Sequence, residues 1–102
     1  MRVVWTEPAE TDLEDLFDYI ARDSAVYAER FIDRILDAVV KLAEHPRIGR
    51  KVPEANAEHI RELTVQSQRV IYAIDDDQDT INILALVHVR QDLQGQDNPP
   101  WR

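Results

Sequence analysis

The stretch HIRELTVQSQRVIYAI, residues 59–74, holds two apolar runs separated by the short polar segment QSQ. Each run has the composition of a β-strand, so we predict strands over residues 59–65 and 69–75 that are joined by a tight turn. Each run also carries one arginine, Arg61 or Arg69. Because an unpaired guanidinium is costly to bury, each arginine must pair with a carboxylate, lie at a sheet edge or serve a function.

The sequence downstream and upstream of this stretch extends the pattern. An acidic turn, DDDQD, precedes an apolar run that predicts a third strand over residues 80–89. Residues 45–58 contain two prolines and a glycine and show no period, which predicts a loop. Strict alternation along the strands aligns His88 with Leu84 and Leu86, and it predicts a polar group near one end and on the open face of the sheet. The members of this group are Arg61, Arg69, Tyr72, His88 and Arg90.

The first half of the chain begins with a short strand and turns helical. Residues 1–5 are rich in β-formers, and Thr6 is suited to cap a helix whose first turn holds Glu7 and Pro8. The apolar residues of this helix recur on one face, at Ala9, Leu13, Leu16, Phe17 and Ile20.

A second helix is predicted from Asp23 or Ser24 to about His45, where Pro46 ends it. Its apolar stripe is wider than the face of a helix that packs against one neighbour, which indicates contact with the sheet and with a second surface. An apolar surface of that kind is typical of a partner-binding site, although a deeper core is the alternative. The residues predicted to be exposed there are Ile32, Leu36 and Val40.

The order of the predicted elements is β, α, α, β, β, β. Helices segregated from most of the strands favour an α+β fold, in which an N-terminal strand and an α-helical hairpin accompany an antiparallel β-sheet. The 102 residues are enough for one domain, residues 1–102, with residues 91–102 predicted to be an irregular C-terminal tail.

Composition restricts the function. Cysteine is absent, and no apolar run is long enough to cross a membrane, so we expect a cytoplasmic protein with no membrane partner. The net charge of −8 opposes binding to nucleic acid through the whole surface, and we expect no direct sequence-specific nucleic acid binding. The first 46 residues hold eleven acids and five bases, whereas the remainder holds nine and seven, so a basic patch must lie in the second half.

The sequence offers little for metal or nucleophilic chemistry. The three histidines, His45, His59 and His88, lack metal-ligand spacing, and we expect no metal or other cofactor. The acidic turn lacks the Gly and Glu of a calcium loop. Neither serine lies in a nucleophile elbow, since Ser24 suits a helix cap and Ser67 a turn.

Two interpretations of the strand arginines stay open at this stage. Arg61 and Arg69 can pair with carboxylates such as Glu54, Glu58 or Glu62 and thereby hold the loop to the sheet. Alternatively, they form part of a functional site on the open face.

The ordered blocks of the chain resemble the RelE/ParE superfamily of type II toxin–antitoxin toxins, and the ParE branch in particular. The resemblance covers a strand that ends in Trp5, an acidic helix that contains Asp12-Leu13 and Tyr19-Ile20, and four later blocks. These blocks are HPRIGRKVPE, HIRELTV, RVIYAI and ILALVHVRQDL.

The resemblance implies a small toxin that forms a hetero-oligomer with a cognate antitoxin. Members similar to RelE cleave messenger RNA on the ribosome, whereas members similar to ParE inhibit DNA gyrase without a comparable nuclease group. Thr64 stands where RNA-cleaving members commonly carry an arginine, and Gln68 stands where an aromatic residue is usual. Thr64 and the absence of a basic surface favour a ParE-like gyrase inhibitor that is not an enzyme, whereas Gln68 argues against an aromatic stacking role at its own position.

Two alternatives are an mRNA endoribonuclease of the RelE type and a toxin-like module that has lost toxicity. In the endoribonuclease, Arg61, Arg69 and His88 are the predicted catalytic residues. In the ParE-like reading there are none, and the predicted antitoxin-binding residues are Ile32, Leu36, Val40, Arg61, Arg69 and Tyr72.

The tail is the last predicted site. Trp101 follows two prolines that extend the backbone, so it either engages the target or folds back onto the core. The predicted target-binding residues are His88, Arg90 and Trp101.

Overall fold

A five-stranded sheet and a helical hairpin make up the computed structural model, which describes all 102 residues. A 3-10 turn, Lys41–Ala43, follows the second helix. The elements are β1 (Arg2–Trp5), α1 (Glu7–Ala21), α2 (Ala25–Val40), β2 (Arg50–Lys51), β3 (Ile60–Val65), β4 (Gln68–Asp75) and β5 (Thr80–His88).

The sheet has the strand order β1-β5-β4-β3-β2. β1 pairs with β5 in parallel, and every other pair is antiparallel. The predicted α+β class is confirmed, with its N-terminal strand, its two helices and its antiparallel strands. The two-residue strand β2 was missed because it lies in the segment that shows no period, and its pairing with β3 is a tertiary contact.

The helices begin where the sequence predicts them. The Thr6 hydroxyl accepts a hydrogen bond from the Ala9 amide at 3.4 Å and donates one to the Ile83 carbonyl at 2.6 Å, which ties the start of α1 to β5. The Ser24 hydroxyl accepts from the Tyr27 amide at 3.1 Å and caps α2. The α-helical part of α2 ends at Val40, several residues before the predicted end, because the chain tightens into the 3-10 turn.

Two apolar clusters lie on opposite faces of the sheet. The larger cluster packs the helical hairpin against it and includes Phe31, Ile35, Val39, Leu42, Val70, Tyr72, Ile74, Ile81 and Ile83. The smaller cluster lies under the loop after β2 and under the C-terminal tail, and it consists of Val52, Ile60, Ile71, Ala85, Val87 and Leu93.

A β-bulge between β4 and β5 corrects the predicted alternation. Tyr72 pairs with Ile83, but Ile71 pairs with Ala85, so Leu84 is an extra residue on β5. Leu84 therefore packs on the smaller cluster while Leu86 belongs to the larger one. The prediction that His88 aligns with both Leu84 and Leu86 was wrong, since strict alternation cannot anticipate an inserted residue.

None of the helices has both the length and the apolar composition that crossing a membrane requires.

Candidate functional site

Arg69 lies at the centre of a buried ionic cluster on the sheet face opposite the helices. Its Nε and Nη2 atoms donate to the Glu62 carboxylate of β3 at 2.9 and 2.7 Å. Its Nη1 and Nη2 atoms donate to Glu54 at 3.1 and 3.0 Å. Both contacts are bidentate, the geometry in which a guanidinium binds a carboxylate most strongly.

The cluster is shielded from solvent, and its charged groups shift one another's pKa values. The side chains of Glu62 and Arg69 are only 1% and 8% exposed. The hydrogen bonds that Arg69 donates to Glu62 raise the pKa of Arg69 above its usual range, and the Arg69 guanidinium lowers the pKa of Glu54. Arg69 and Glu54 therefore stay charged at neutral pH.

A polar cleft of about 340 Å³ opens above this cluster. Arg50 of β2 lies at its edge, where Nη2 is 3.4 Å from the Glu62 carboxylate. The Arg50 side chain is largely exposed, so this outer contact is weaker than the pairing with Arg69. Glu54, Asp92 and Gln94 also line the cleft, so the tail contributes to it.

Arg61 lies on the other face of the sheet, because its cross-strand partner is Tyr72 of the helix-facing cluster. Its Nη1 atom donates to the Gly49 carbonyl at 3.0 Å, and its Nη2 atom donates to Glu58 at 2.8 Å. The Arg61 Nε atom is buried without a hydrogen-bond partner. Arg61 therefore holds the loop before β2 to the sheet.

The Tyr72 hydroxyl secures the same loop from inside the core. It donates to the Pro46 carbonyl at 2.7 Å and accepts from the Gly49 amide at 3.1 Å. Burial raises the pKa of the Tyr72 phenol, so it remains neutral and able to donate. Residues 46 and 49 are thus both fixed by hydrogen bonds to the Tyr72 hydroxyl.

The predicted polar group on one open face does not assemble. Arg61 and Tyr72 face the helices, whereas Arg69 faces away from them, because directly opposed residues of neighbouring strands share a face. His88 is exposed at the end of β5, and its Nδ1 atom accepts from the Arg90 amide at 3.1 Å. Both strand arginines pair with carboxylates, as the first of the two interpretations from sequence predicts. Their partners are Glu54, Glu58 and Glu62.

The family of this chain follows from comparisons with known proteins. The sequence matches the model of the family described as ParE toxin of type II toxin-antitoxin system, parDE, over residues 3–93. The chain belongs to the RelE/ParE superfamily of type II toxins. The resemblance inferred from the ordered sequence blocks is confirmed.

Individual relatives of this toxin carry names from both branches. Toxin RelE2 of Caulobacter vibrioides is 39% identical over 70 residues, which are 69% of this chain and 75% of that protein. The chromosomal ParDE toxin–antitoxin system from P. aeruginosa superimposes with a TM-score of 0.71 at 22% identity, covering 86% of this chain and 95% of that chain. The toxin–antitoxin complex RelBE2 from Mycobacterium tuberculosis gives a TM-score of 0.55 at 27% identity, covering 85% and 95%.

The three α2 residues predicted to bind the antitoxin differ in exposure. Ile32 is half-buried against the larger cluster, and Leu36 is half-buried as well. Val40 is 69% exposed at the end of the helix. This line of residues, the α2 seam, becomes more accessible towards the C-terminal end of the helix.

The tail of the toxin folds back on the sheet. Residues 89–102 form turns and bends without a helix or strand. Leu93 is buried in the smaller cluster, and Trp101 is half-buried against it. Of the three predicted target-binding residues, His88 and Arg90 are exposed and Trp101 contacts the core.

Asp12 is a site residue that sequence reasoning missed. Its carboxylate accepts a hydrogen bond from the Leu86 amide at 3.0 Å. Leu86 lies beyond the last residue of β5 that pairs with β1, Ile83. Burial raises the Asp12 pKa more than the Leu86 amide lowers it. The signal was its spacing, since Asp12 lies three residues after Ala9 on the apolar face of α1.

Replacing Asp12 by asparagine is expected to stabilise the toxin at pH 7 by a few tenths to about 1 kcal/mol. The Asp12 pKa is higher in the folded state, so the protonated carboxyl group contributes stability at pH values below the unfolded pKa. This contribution is lost as pH rises through the folded pKa. Asparagine stays neutral and still offers an oxygen to the Leu86 amide. Urea unfolding between about pH 3 and pH 7 measures the effect.

The stability gained by Asp12→Asn should shrink as pH falls, since wild-type Asp12 then becomes neutral too. Asp18→Asn, at an exposed position of the same helix, is the matched control and should change little. A wild-type protein that is more stable than Asp12→Asn throughout this pH range would contradict the assignment.

Proposed function

We propose that this protein is a ParE-like toxin that inhibits DNA gyrase by binding and is neutralised by a cognate antitoxin. The observation that carries the proposal is the engagement of Arg69 by Glu54 and Glu62. Four N–H donors of the guanidinium serve two carboxylates, so its charge is neutralised inside the protein.

The ribonuclease alternative requires catalytic groups that Arg61, Arg69 and His88 do not supply in this arrangement. Metal-free RNA cleavage needs a base for the 2′-hydroxyl, an acid for the leaving oxygen and a cation for the developing phosphorane charge. Arg69 and Arg61 are both engaged by carboxylates, and they lie on opposite faces of the sheet. His88 pairs with Gln68 at a strand end, whereas Arg69 lies on the opposite face of the sheet and Arg61 pairs with Tyr72, so neither strand arginine lies beside it.

The antitoxin part of the proposal is supported by the relatives. The similar structures from P. aeruginosa and Mycobacterium tuberculosis are toxin–antitoxin assemblies. On this chain the α2 seam offers partly exposed apolar side chains to a partner helix or strand. Arg61, Tyr72 and Arg69 support the antitoxin surface by holding neighbouring loops, so we propose a structural role for them there.

A supercoiling assay with purified gyrase and relaxed plasmid tests the target. The wild-type protein should inhibit supercoiling, and addition of the antitoxin encoded beside the toxin gene should restore it. In parallel, translating ribosomes should show no message cleavage. Site-specific cleavage that His88→Ala abolishes would establish the ribonuclease alternative, whereas inactivity in both assays would support a module that has lost toxicity.

Deleting residues 96–102 is expected to weaken gyrase inhibition and also to lower stability. The deletion removes Trp101 from the smaller cluster, and burial of part of an aromatic side chain contributes on the order of 1–2 kcal/mol. Urea unfolding and the supercoiling assay measure the two effects separately. Arg90→Gln serves as the matched variant, because it should affect inhibition without affecting the core.

A target role for the tail predicts that inhibition falls further than the loss of folded protein explains. If stability alone falls and the folded fraction inhibits gyrase normally, Trp101 belongs to the core and not to the target surface.

A further inference from the structure

One loop of this acidic protein concentrates positive charge. Residues 45–51, here the basic loop, contain Arg47, Arg50 and Lys51 and no carboxylate, although the chain carries a net charge of −8. Ile48 lies among these cations and is 60% exposed. The loop therefore presents an apolar side chain surrounded by positive charge.

The basic loop is held in one conformation by hydrogen bonds to the buried Tyr72 and the largely buried Arg61 side chain. The Tyr72 hydroxyl bonds to Pro46 and Gly49, and Arg61 bonds to the Gly49 carbonyl. Gly49 packs so closely that a Cβ atom there would lie 2.4 Å from the Glu62 carbonyl oxygen. A loop fixed in advance loses little conformational entropy when a partner binds it.

Two cations of the basic loop, Arg47 and Lys51, can exchange their present carboxylate partners for those of another protein. Arg47 pairs with Asp76 at 3.2 Å, and Lys51 pairs with Glu58 at 2.6 Å. All four side chains are about half exposed or more, and pairs of this kind contribute little to stability in water. Carboxylates from a partner can replace Asp76 and Glu58 without exposing a buried charge.

The position of the loop indicates which partner it meets. The amino group of Met1 donates to the Ala43 carbonyl at 3.0 Å, which places the end of α2 beside the start of β1. Arg2 pairs with Thr80 at this end of the sheet, and Arg47 contacts Asp76 in the turn between β4 and β5. The α2 seam and the basic loop therefore lie at the same end of the molecule.

We propose that the basic loop continues the antitoxin-binding surface of the α2 seam and receives an acidic segment of the antitoxin. Carboxylates of that segment bind Arg47 and Lys51, and an apolar residue between them packs on Ile48. The inference rests on the proposed neutralisation by an antitoxin, and it defines the chemistry by which this toxin selects its partner.

The test measures the dissociation constant between the purified toxin and the antitoxin encoded beside its gene. Ile48→Ser is expected to raise the dissociation constant roughly tenfold or more, since it removes a buried apolar contact. Arg47→Gln/Lys51→Gln should also weaken binding. It should reduce the loss of affinity that wild type shows when salt rises from about 50 mM to about 300 mM.

Matched controls separate contact from folding. Val26 is 60% exposed, as Ile48 is, but lies in the first turn of α2, so Val26→Ser should bind like wild type. Arg30→Gln/Arg90→Gln removes two exposed charges away from the loop and should leave the salt response unchanged. Thermal unfolding should show that all of these variants are folded.

Three results would overturn the inference in distinguishable ways. Wild-type binding by Ile48→Ser and by Arg47→Gln/Lys51→Gln would exclude the loop from the interface while leaving the antitoxin proposal intact. Loop variants that bind the antitoxin normally but lose gyrase inhibition would assign the loop to the target. Failure of the wild-type toxin to bind the antitoxin at all would overturn the proposed neutralisation and this inference together.

Discussion

Replacing Arg69 by methionine is expected to lower the free energy of unfolding by about 3–5 kcal/mol. Methionine keeps much of the side-chain volume but removes the guanidinium that binds Glu54 and Glu62. Glu62 is almost completely buried, so it would be left as a desolvated charge whose remaining ion-pair partner is the largely exposed Arg50. Because domains of this size are stable by about 5–15 kcal/mol, the loss is a large part of the total. Urea unfolding at neutral pH measures it.

Two companion variants identify the cause of this loss. Arg69→Met/Glu62→Leu/Glu54→Gln should recover much of the stability, because it also removes the carboxylates left unpaired. Arg50→Gln removes the outer contact of Glu62 and should cost less than about 1 kcal/mol, since Arg50 is largely exposed. An Arg69→Met protein as stable as wild type would show that the buried ionic cluster does not hold the loop to the sheet.

Replacing Gly49 by alanine is expected to lower the free energy of unfolding by about 2–3 kcal/mol. The added Cβ atom would lie 2.4 Å from the Glu62 carbonyl oxygen and 2.6 Å from the Tyr72 hydroxyl. Relief of this overlap requires the loop to move away from the sheet, which weakens both hydrogen bonds of the Tyr72 hydroxyl. A fall in Tm of at least about 8 °C should accompany the change in a domain of this size.

The second glycine of the chain is the natural control. Gly95 has a φ of +78° and open space around its Cα, and asparagine tolerates that backbone conformation. Gly95→Asn should therefore cost less than about 1 kcal/mol. Tyr72→Phe isolates the hydrogen-bond part of the Gly49 effect and should cost about 1–3 kcal/mol. A Gly49→Ala protein with wild-type Tm would mean that the loop is loosely attached, and the basic loop would lose its preorganisation.

Local chemistry made the elements predictable. Thr6 and Ser24 each offer a hydroxyl to amide groups within their own helix turn, so the starts of both helices follow from sequence. The three long strands also follow, because their composition and their turns are local properties. The three glutamates that were given as examples of partners do pair with the strand arginines, since a buried guanidinium requires a carboxylate and these acids lie close by in the chain.

The sequence by itself thus determined the order of the two helices and the four longer strands, the α+β class, the family and the need of each strand arginine for a partner. Only the tertiary structure decided on which face each arginine lies, because the register between β3 and β4 places Arg61 opposite Tyr72 and Arg69 opposite Thr64. It also decided that Tyr72 and Arg61 fix residues 46–49, and that Asp12 accepts from Leu86. These contacts join residues that are far apart in the chain, and their energies depend on burial, a quantity that exists only once the chain has folded.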